Sequence, residues 1–233
     1  MTQLHGPERA QYVQGMFARI AGRYDVMNRL MTGGRDGAWR KTVIRLAQLG
    51  PTARLLDVAT GTGDLLIEAL KQRPDALAIG SDFTFEMMRA GQRKSGAEKI
   101  RWTSADALRL PYPDNTFDAV TSGFGVRNFI DREGAFREQL RVIKPGGRVI
   151  CLEISKPPKN LGRPFFQLFF NRLVPLLGGL ISGQRDAYTY LPQSVNEFLT
   201  PDELKSSMEQ AGLRDVQYRR LMMNTVAIHV GRK

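Results

Sequence analysis

A short glycine-containing turn follows the apolar run Arg54 to Ala59. Gly61 and Gly63 flank Thr62, and Asp64 opens an amphipathic stretch, so a strand, a tight turn and a helix start follow in order. This order directs backbone N–H groups and a helix N-terminus toward a ligand, and glycine allows a close approach to the backbone. The turn therefore predicts a nucleotide-like cofactor site, with its contacts at Asp57, Ala59, Thr60, Gly61, Thr62 and Gly63.

The residues around the turn discriminate between cofactors. Leu66 stands where the dinucleotide fingerprint has its third glycine, and no lysine follows Gly63 as a phosphate-binding loop requires. The Asp64 carboxylate would repel a pyrophosphate but attract a cation. S-adenosylmethionine (SAM) carries an ammonium and a sulfonium, so the sign of the charge favours SAM over a nicotinamide dinucleotide.

Two further acids end strand-like segments. Asp82 lies about 20 residues beyond the turn, the spacing at which a carboxylate reaches ribose hydroxyls. Asp106 ends the next segment and could accept a hydrogen bond from an adenine amino group. One such acid alone would favour a helix cap or a turn, but three at successive strand ends favour a binding site. The neighbours predicted to share this site are Phe83, Ala107, Ser122 and Gly123.

Three longer segments resemble one enzyme family. Tyr24 to Asn28, Phe124 to Asn128 and Tyr188 to Ser194 are similar to motifs of the class I SAM-dependent methyltransferases that C-methylate polyprenyl quinone precursors in menaquinone and ubiquinone biosynthesis. The likeness runs from about Val13 to the C-terminus. It implies SAM as the donor and a polyprenyl quinol as the acceptor. Demethylmenaquinol is favoured; a methoxylated polyprenyl benzoquinol of ubiquinone biosynthesis, or another hydrophobic small molecule, is the alternative.

Carbon methylation of such a ring needs an electron-rich carbon, which forms when a ring hydroxyl loses its proton. A donor-rich group should then stabilise the phenolate. Arg127 and Asn128, just beyond the fourth predicted strand, are the main candidates to hold the quinol oxygens or a water molecule. Arg127 remains protonated, and its alternative role is an ion pair with Asp131.

Three more residues are weaker catalytic candidates. Tyr24 would lie over the cleft if the N-terminal helix folds back, and Asp64 would orient the donor and assist proton removal. His229 could titrate near neutrality, although a lone histidine on an apolar strand is more often structural. Tyr188 and Tyr190 would line the quinone pocket or pack beneath a lid.

The chain departs from the family pattern in two places. Gly123 stands where a serine often precedes the Phe124 to Asn128 motif, so Ser122 would have to supply any contact from a hydroxyl. The run Met222 to Thr225 replaces a glycine-rich segment ahead of the last strand. Bulkier side chains there would reshape the acceptor pocket.

Length and composition are those of one globular domain over residues 1–233, with 42% apolar and 24% charged residues. Residues 1–9 lack the apolar core of a signal peptide. Cys151, the only cysteine, lies among apolar strand residues, which predicts a buried side chain and a reducing, cytoplasmic location. One cysteine and two histidines predict no metal centre.

The net charge of +11 favours an anionic partner. Arginines crowd the segment before the first strand, and an apolar stretch, interrupted by Arg172, lies within a predicted lid over residues 157–197. That stretch is too broken to span a bilayer, so we expect an interfacial contact with the inner face of the membrane. A basic RNA-binding protein is the non-enzymatic alternative, but it would carry lysines and isolated aromatic residues. The oligomeric state, including a homo-oligomer, is left open.

Alternating strand-like and helical segments predict a Rossmann-like α/β fold with a mostly parallel seven-stranded sheet, helices on both faces and a terminal antiparallel hairpin. Residues 1–50 form a helical cap in this prediction. The helices of the cap and of the C-terminal region are placed at Val13–Met31, Asp36–Leu49 and Pro201–Ala211. The strands are placed at Arg54–Ala59, Leu77–Asp82, Lys99–Thr103, Phe117–Gly123, Arg148–Ile154, Val216–Leu221 and Thr225–Val230.

Overall fold

The computed structural model describes residues 6–155 and 184–233, together with positions 172, 174 and 176. The helices are α1 (Gly6–Ile20), α2 (Tyr24–Met31), α3 (Asp36–Ala47), α4 (Asp64–Gln72), α5 (Phe85–Gln92), α6 (Arg132–Val142), α7 (Arg185–Glu197) and α8 (Pro201–Gln210). The strands are β1 (Arg54–Val58), β2 (Leu77–Asp82), β3 (Arg101–Ser104), β4 (Phe117–Gly123), β5 (Ile143–Ile154), β6 (Arg214–Leu221) and β7 (Val226–Arg232).

The strands form one seven-stranded sheet in the order β3-β2-β1-β4-β5-β7-β6. The first five strands in sequence are parallel, and β7 pairs antiparallel with both β5 and β6. The chain runs from β1 outward to β3 and then returns to β4 on the other side of β1. This reversal is a topological switch point, and ligands of such sheets bind at the carboxyl ends of the strands beside it.

Side chains of the central strands alternate between two apolar clusters, as the period of a β-strand requires. Leu55 packs with Trp39 and the α3–α4 side of the sheet. Leu56, the next residue, packs with Phe136 of α6 and the α8 side. Helices therefore cover both faces, which confirms the predicted α/β sheet with its terminal hairpin.

Several predicted boundaries are wrong in detail. The predicted helix Val13–Met31 is two helices, α1 and α2, because the chain turns at residues 21–23, where the Arg23 N–H donates to the Ile20 carbonyl at 2.9 Å. α3 ends before Leu49, since Gln48 is left-handed with φ 49°. β1 ends before Ala59, which has φ 55°.

Several strand boundaries also differ from the predicted ones. β3 begins at Arg101 and β6 at Arg214, and β5 begins five residues earlier than predicted, at Ile143. β7 continues to Arg232. The capping box of Thr200 and Glu203 at the start of α8 is confirmed.

The predicted burial of Cys151 is confirmed, whereas the predicted lid is described only in part. Cys151 is fully buried in β5, as predicted. Most of the predicted lid over residues 157–197 lies outside the described residues, and its last part is α7. Among the helices described, none is long and apolar enough to cross a bilayer.

Candidate functional site

A cleft opens at the carboxyl ends of β1, β2 and β4, beside the switch point. It holds about 910 Å³ of empty space, counting its open mouth. Residues from the glycine turn, from the segments after β2 and β3, from the segment after β4, and from α1 line it. Parallel topology thus brings together segments that lie far apart in the sequence. Among them are Ala59, Gly61, Asp82, Phe83, Asp106, Ala107, Gly123 and Asn128.

The Asp82 carboxylate organises the floor of this cleft. Its Oδ2 accepts the Gly61 N–H at 2.7 Å, and its Oδ1 accepts the Thr84 N–H at 2.7 Å. Burial raises the pKa of Asp82, while these two N–H donors oppose the rise. A single carboxylate therefore holds the glycine turn against the start of α5 and still borders the cavity.

Gly63, the second glycine of the turn, is required both by its left-handed backbone conformation and by the Trp102 side chain that packs on it. Gly63 has φ +77°, and a Cβ atom there would lie 2.5 Å from Cη2 of Trp102. Gly61 also has a positive φ, +54°, but a Cβ there would meet only the end of the Met87 side chain, at 3.2 Å. The turn is therefore tightest where Trp102 packs on Gly63.

Asp57 lies beneath the turn. Its Oδ1 accepts the Thr121 hydroxyl at 2.7 Å, and the residue is 1% exposed. Burial raises its pKa to about 7. It lines a smaller cavity together with Thr60, Thr62 and Asp64, so the structure places it next to the cleft and not within it.

Of the other residues predicted to contact the cofactor, Asp106 and Phe83 border the cleft and Ser122 does not. Asp106 accepts the Leu108 N–H at 2.9 Å and borders the cleft on its exposed side. Phe83 is 45% exposed at the cleft mouth. Ser122, in contrast, is buried within β4 and is not among the described residues that line the cleft. The structure thus gives its hydroxyl no access to a bound donor.

Within the predicted cap over residues 1–50, helices α1 and α2 cover the cleft. The term cap refers to these two helices from here on. The Gln14 side chain of α1 donates to the Phe83 carbonyl at 2.9 Å. Tyr24, at the start of α2, lines the cleft and packs edge-on against Phe17 with ring centroids 5.9 Å apart. Burial raises the pKa of Tyr24, so its hydroxyl stays protonated and acts as a hydrogen-bond donor.

Arg127 has a different partner from the one predicted. The alternative of an ion pair with Asp131 is wrong: Nη1 of Arg127 lies 2.8 Å from Oε1 of Glu153, and it also donates to the Phe124 carbonyl. Burial opposes its charge, but Glu153 raises the pKa of the guanidinium. Asp131 instead caps α6, accepting the Gly134 N–H at 2.8 Å.

An inner cavity lies behind Phe124, whose ring borders both it and the cleft. It holds about 490 Å³ of empty space, counting the space at its opening, and its walls are largely apolar. Asn28 and Arg127 line it, and Nε of Arg127 has no hydrogen-bond partner among the described residues. The other lining residues are Met31, Thr32, Trp39, Ile154, Leu191, Met222, Thr225 and Val226.

The two segments in which the chain departs from the family pattern contribute residues to the cleft and to the inner cavity. Asn128 borders the cleft, and its Oδ1 accepts the Tyr190 hydroxyl of α7 at 3.1 Å. Met222 lines the inner cavity, and three successive residues, Met222, Met223 and Asn224, have φ between 44° and 68°. Glycine adopts this conformation at the least cost, so these three residues carry side chains on a backbone that favours glycine.

His229 does not reach either cavity, and its catalytic assignment is corrected. Ile228 packs in the same cluster as Phe124, so the next side chain of the strand points to the opposite face. There Nε2 of His229 donates to the Pro201 carbonyl at 2.9 Å, and its ring stacks near Tyr218. Burial lowers the pKa of His229 to about 4, which makes it a neutral packing residue at physiological pH.

Asp64 belongs to a charge network at the edge of the site. Its Oδ2 lies 3.0 Å from Arg40, and its Oδ1 lies 2.5 Å from Nζ of Lys94. Two cations thus already pair with the carboxylate that was predicted to orient the donor and assist proton removal. It borders the smaller cavity around Asp57 and does not line the cleft.

Sequence reasoning missed several residues of the site. Glu153 carried one visible signal, a charged side chain within the apolar run Val149 to Ile154. Asn28 ends the Tyr24 to Asn28 motif, which marks the family but not the role of this side chain. Lys94 carried no signal, because its partners lie about 30 and 70 residues away in sequence. Among the described residues, no group of three or more His, Cys, Asp or Glu side chains could hold a metal ion.

Comparison with known proteins gives one family. The profile of the ubiE/COQ5 methyltransferase family matches residues 6–233. A demethylmenaquinone methyltransferase from Roseiflexus castenholzii is 46% identical over 226 residues, covering 97% of this chain and 95% of the relative. The ubiquinone/menaquinone biosynthesis C-methyltransferase UbiE of Desulfotalea psychrophila is 41% identical over 221 residues, covering 95% of this chain and 90% of the relative.

A solved structure shares the fold at low identity. A SAM-dependent methyltransferase from Thermotoga maritima superposes with a TM-score of 0.67 at 15% identity, covering 95% of this chain and 99% of that one. At this identity the likeness concerns the fold alone. It confirms the Rossmann-like class expected from the order of strands and helices.

Proposed function

Because this chain belongs to the ubiE/COQ5 methyltransferase family, we propose that it is a SAM-dependent methyltransferase that transfers a methyl group to a ring carbon of demethylmenaquinol, giving menaquinol. The observation that carries this proposal is the meeting of two sites at Phe124: a cleft bordered by strand-end carboxylates, and an apolar inner cavity with a buried arginine. The relatives named demethylmenaquinone methyltransferase are up to 46% identical and support the choice of acceptor.

The cleft fits the donor in its chemistry. Asp82 and Asp106 present carboxylate oxygens to hydroxyl and amino groups, and Phe83, Ala107 and Leu108 supply apolar surface for a purine ring. Gly61 and Gly63 allow a ligand to approach the backbone of the turn. When bound, the donor supplies an electrophilic methyl group on a sulfonium.

The acceptor ring is assigned to the inner cavity. Its apolar walls suit a naphthoquinol, and Arg127 and Asn28 add N–H groups at one side. Met222, which replaces the family's usual glycine-rich segment, narrows the same cavity. The polyprenyl tail is expected to run outward beside α7, whose Tyr190 holds Asn128.

Positioning and charge stabilisation account for catalysis in this proposal. Loss of a ring hydroxyl proton makes the neighbouring carbon nucleophilic, and the permanently charged Arg127 stabilises the phenolate oxygen. Glu153 holds the guanidinium in place. Tyr24 and Asn128, at the boundary of the cleft, donate to the acceptor oxygens or to a water molecule that removes the proton. Alignment of the two reactants in a dry site supplies much of the remaining rate enhancement.

The protein meets its lipid substrate at the membrane surface in this proposal, as a peripheral protein on the cytoplasmic side. Val26 and Leu30 of α2 are 53% and 51% exposed, and exposed arginines, Arg23, Arg29 and Arg35, lie nearby in sequence. An exposed apolar pair flanked in sequence by exposed arginines is suited to anionic lipid headgroups. Flotation with anionic vesicles should recover the protein, and V26S/L30S should weaken that recovery.

The test of the proposed function is a turnover assay with methyl-labelled SAM under reducing conditions. Demethylmenaquinol and a demethylated ubiquinol precursor are offered in parallel, and the products are identified by mass spectrometry. Labelled menaquinol is the expected product. R127M should lower kcat by at least about tenfold through loss of phenolate stabilisation, with little change in SAM affinity.

A matched control separates this role from a general loss of charge. Arg137 lies 55% exposed on α6, so R137M removes the same charge far from either cavity and should keep full turnover. Labelled product from the ubiquinol precursor alone would reassign the acceptor. No labelled lipid from either quinol would refute the proposed reaction.

A further inference from the structure

We propose that Lys94 is a positioning residue: its ammonium latches the cap over the cleft and sets the rate at which the methyl donor leaves. This inference rests on the proposed function, because it concerns the donor that the cleft binds. It assigns a role to a residue just beyond α5 that does not line the cleft.

The Lys94 ammonium is fully satisfied by three acceptors. Nζ lies 2.6 Å from Oδ2 of Asp25, 2.5 Å from Oδ1 of Asp64 and 2.7 Å from Oγ1 of Thr62. An ammonium has three N–H donors, so each is used. The Thr62 hydroxyl in turn donates to Oδ1 of Asp25 at 2.7 Å.

These three acceptors belong to two different parts of the molecule. Asp25 is on α2, in the cap, whereas Thr62 and Asp64 belong to the glycine turn and the start of α4. Tyr24, the neighbour of Asp25, lines the cleft. The cap cannot lift away from the turn without separating Asp25 from Lys94 and Thr62.

The network continues to α3. Arg40 joins Asp64 at 3.0 Å to Asp36 at 2.6 Å. Three carboxylates thus alternate with two cations across three helices and the segment that follows α5. Within the described part of the chain, Lys94 is the cation that pairs with Asp25, so its removal leaves Asp25 and Asp64 facing each other without a counter-charge on that side.

Partial exposure makes this network a latch that can open. The side chains of Lys94, Asp64 and Asp25 are 22%, 25% and 37% exposed. Such pairs are stronger than exposed ion pairs, weaker than fully buried ones, and screened by salt. On the other side of the cap, α1 is tied to the cleft mouth by a neutral hydrogen bond, from Gln14 to the Phe83 carbonyl.

The test measures donor release from the full-length protein with SAM alone. Trp102 packs against Gly63 of the turn, and the chain has only two tryptophans, so intrinsic fluorescence reports on the occupied turn. K94M should release SAM about tenfold faster than the wild type, an effect between those of exposed and buried pairs. K94R, which keeps the charge, should restore most of the slow release.

Two further variants separate the latch from a loss of charge or of fold. Lys71 lines a surface groove that Asp25, Asp64 and Lys94 also line. It forms no ion pair among the described residues, so K71M should release SAM at the wild-type rate. D25N should speed release less than K94M, because Lys94 still pairs with Asp64. The double variant K94M/D25N should release SAM more slowly than K94M, since the repulsion between Asp25 and Asp64 is gone.

Amide hydrogen exchange provides a readout without any ligand. Residues Tyr24–Met31 should exchange faster in K94M than in the wild type and K71M, while β1 and β4 stay protected. Unchanged exchange in α2, an unchanged release rate in K94M, or an equal acceleration in K71M would each overturn the latch. If SAM binds to none of the proteins, the donor assignment fails and exchange in α2 alone decides the latch.

Discussion

Glu153 holds Arg127 through a buried ion pair at the carboxyl ends of β4 and β5. Nη1 of Arg127 lies 2.8 Å from Oε1 of Glu153, and the Arg127 N–H donates to Oε2 at 3.2 Å. Arg127 is 4% exposed and Glu153 is 1% exposed. Neither charge can be solvated if the other is removed, so the arginine that faces the inner cavity depends on a carboxylate on a neighbouring strand.

The first prediction concerns this pair. E153Q keeps the shape of the side chain but leaves the guanidinium without a counter-charge, which should lower the free energy of unfolding by about 3 kcal/mol. Urea denaturation measures the change. The matched control is E133Q, which breaks an exposed pair with Arg137 at 3.7 Å and should cost less than about 1 kcal/mol. Equal losses in both variants would contradict the buried pair.

The second prediction separates steric from conformational demands in the glycine turn. G63A places a methyl group against Trp102 at φ +77°, so it should destabilise the fold by the cost of a left-handed alanine, about 1 kcal/mol, plus about 1–3 kcal/mol of overpacking. Gly33 has φ +58°, and a methyl group added there would meet no atom within 4 Å. G33A should therefore show only the first cost, by the same urea measurement.

The third prediction tests the floor of the cleft. In D82N the side chain has one acceptor oxygen, so it cannot accept both the Gly61 and the Thr84 N–H. Affinity for SAM, measured by titration calorimetry, should fall at least about tenfold, because a buried N–H loses its partner and the turn moves. E86Q removes an exposed acid from the same region and should bind SAM as the wild type does. Full affinity in D82N would exclude Asp82 from the donor site.

The fourth prediction uses the opposite pH dependences of Asp57 and His229. Burial raises the pKa of Asp57 to about 7 and lowers that of His229 to about 4. The folded protein therefore holds the Asp57 proton more tightly than the unfolded chain does, and Asp57 adds stability as the pH falls from about 7 toward 4. For His229 the unfolded chain binds the proton more tightly, so stability is lost as the pH falls from its ordinary pKa of 6.5 toward about 4.

Two variants reveal these contributions in urea unfolding between about pH 4.5 and 7.5. Each group changes the free energy of unfolding by up to about 1.4 kcal/mol per pH unit. Relative to the wild type, D57N should become less stable on acidification, and H229Q should become more stable. H229Q should also keep wild-type turnover at neutral pH, since the ring lies away from both cavities. Parallel curves for all three proteins would contradict the burial of both groups.

The amino-acid sequence alone located the glycine turn and the strand-end acid that border the cleft. A strand, a glycine turn and a helix start are local, so Gly61, Gly63 and Asp82 could be placed from their order and spacing. The turn and the acid need only short-range backbone geometry and the rule that parallel strands bring their carboxyl ends to one edge. The family was indicated separately, by the resemblance of Tyr24 to Asn28 and of two later segments to its motifs.

Tertiary structure decided which charges meet. Arg127 could have paired with nearby Asp131, but the register of β4 and β5 placed Glu153 beside it. Lys94 pairs with Asp25 because the cap packs over the turn, and with Asp64 because the segment after α5 packs beside the start of α4. His229 was turned away from the site by the alternation of side chains along β7. Such pairings depend on distances between segments remote in sequence, and no local pattern encodes those distances.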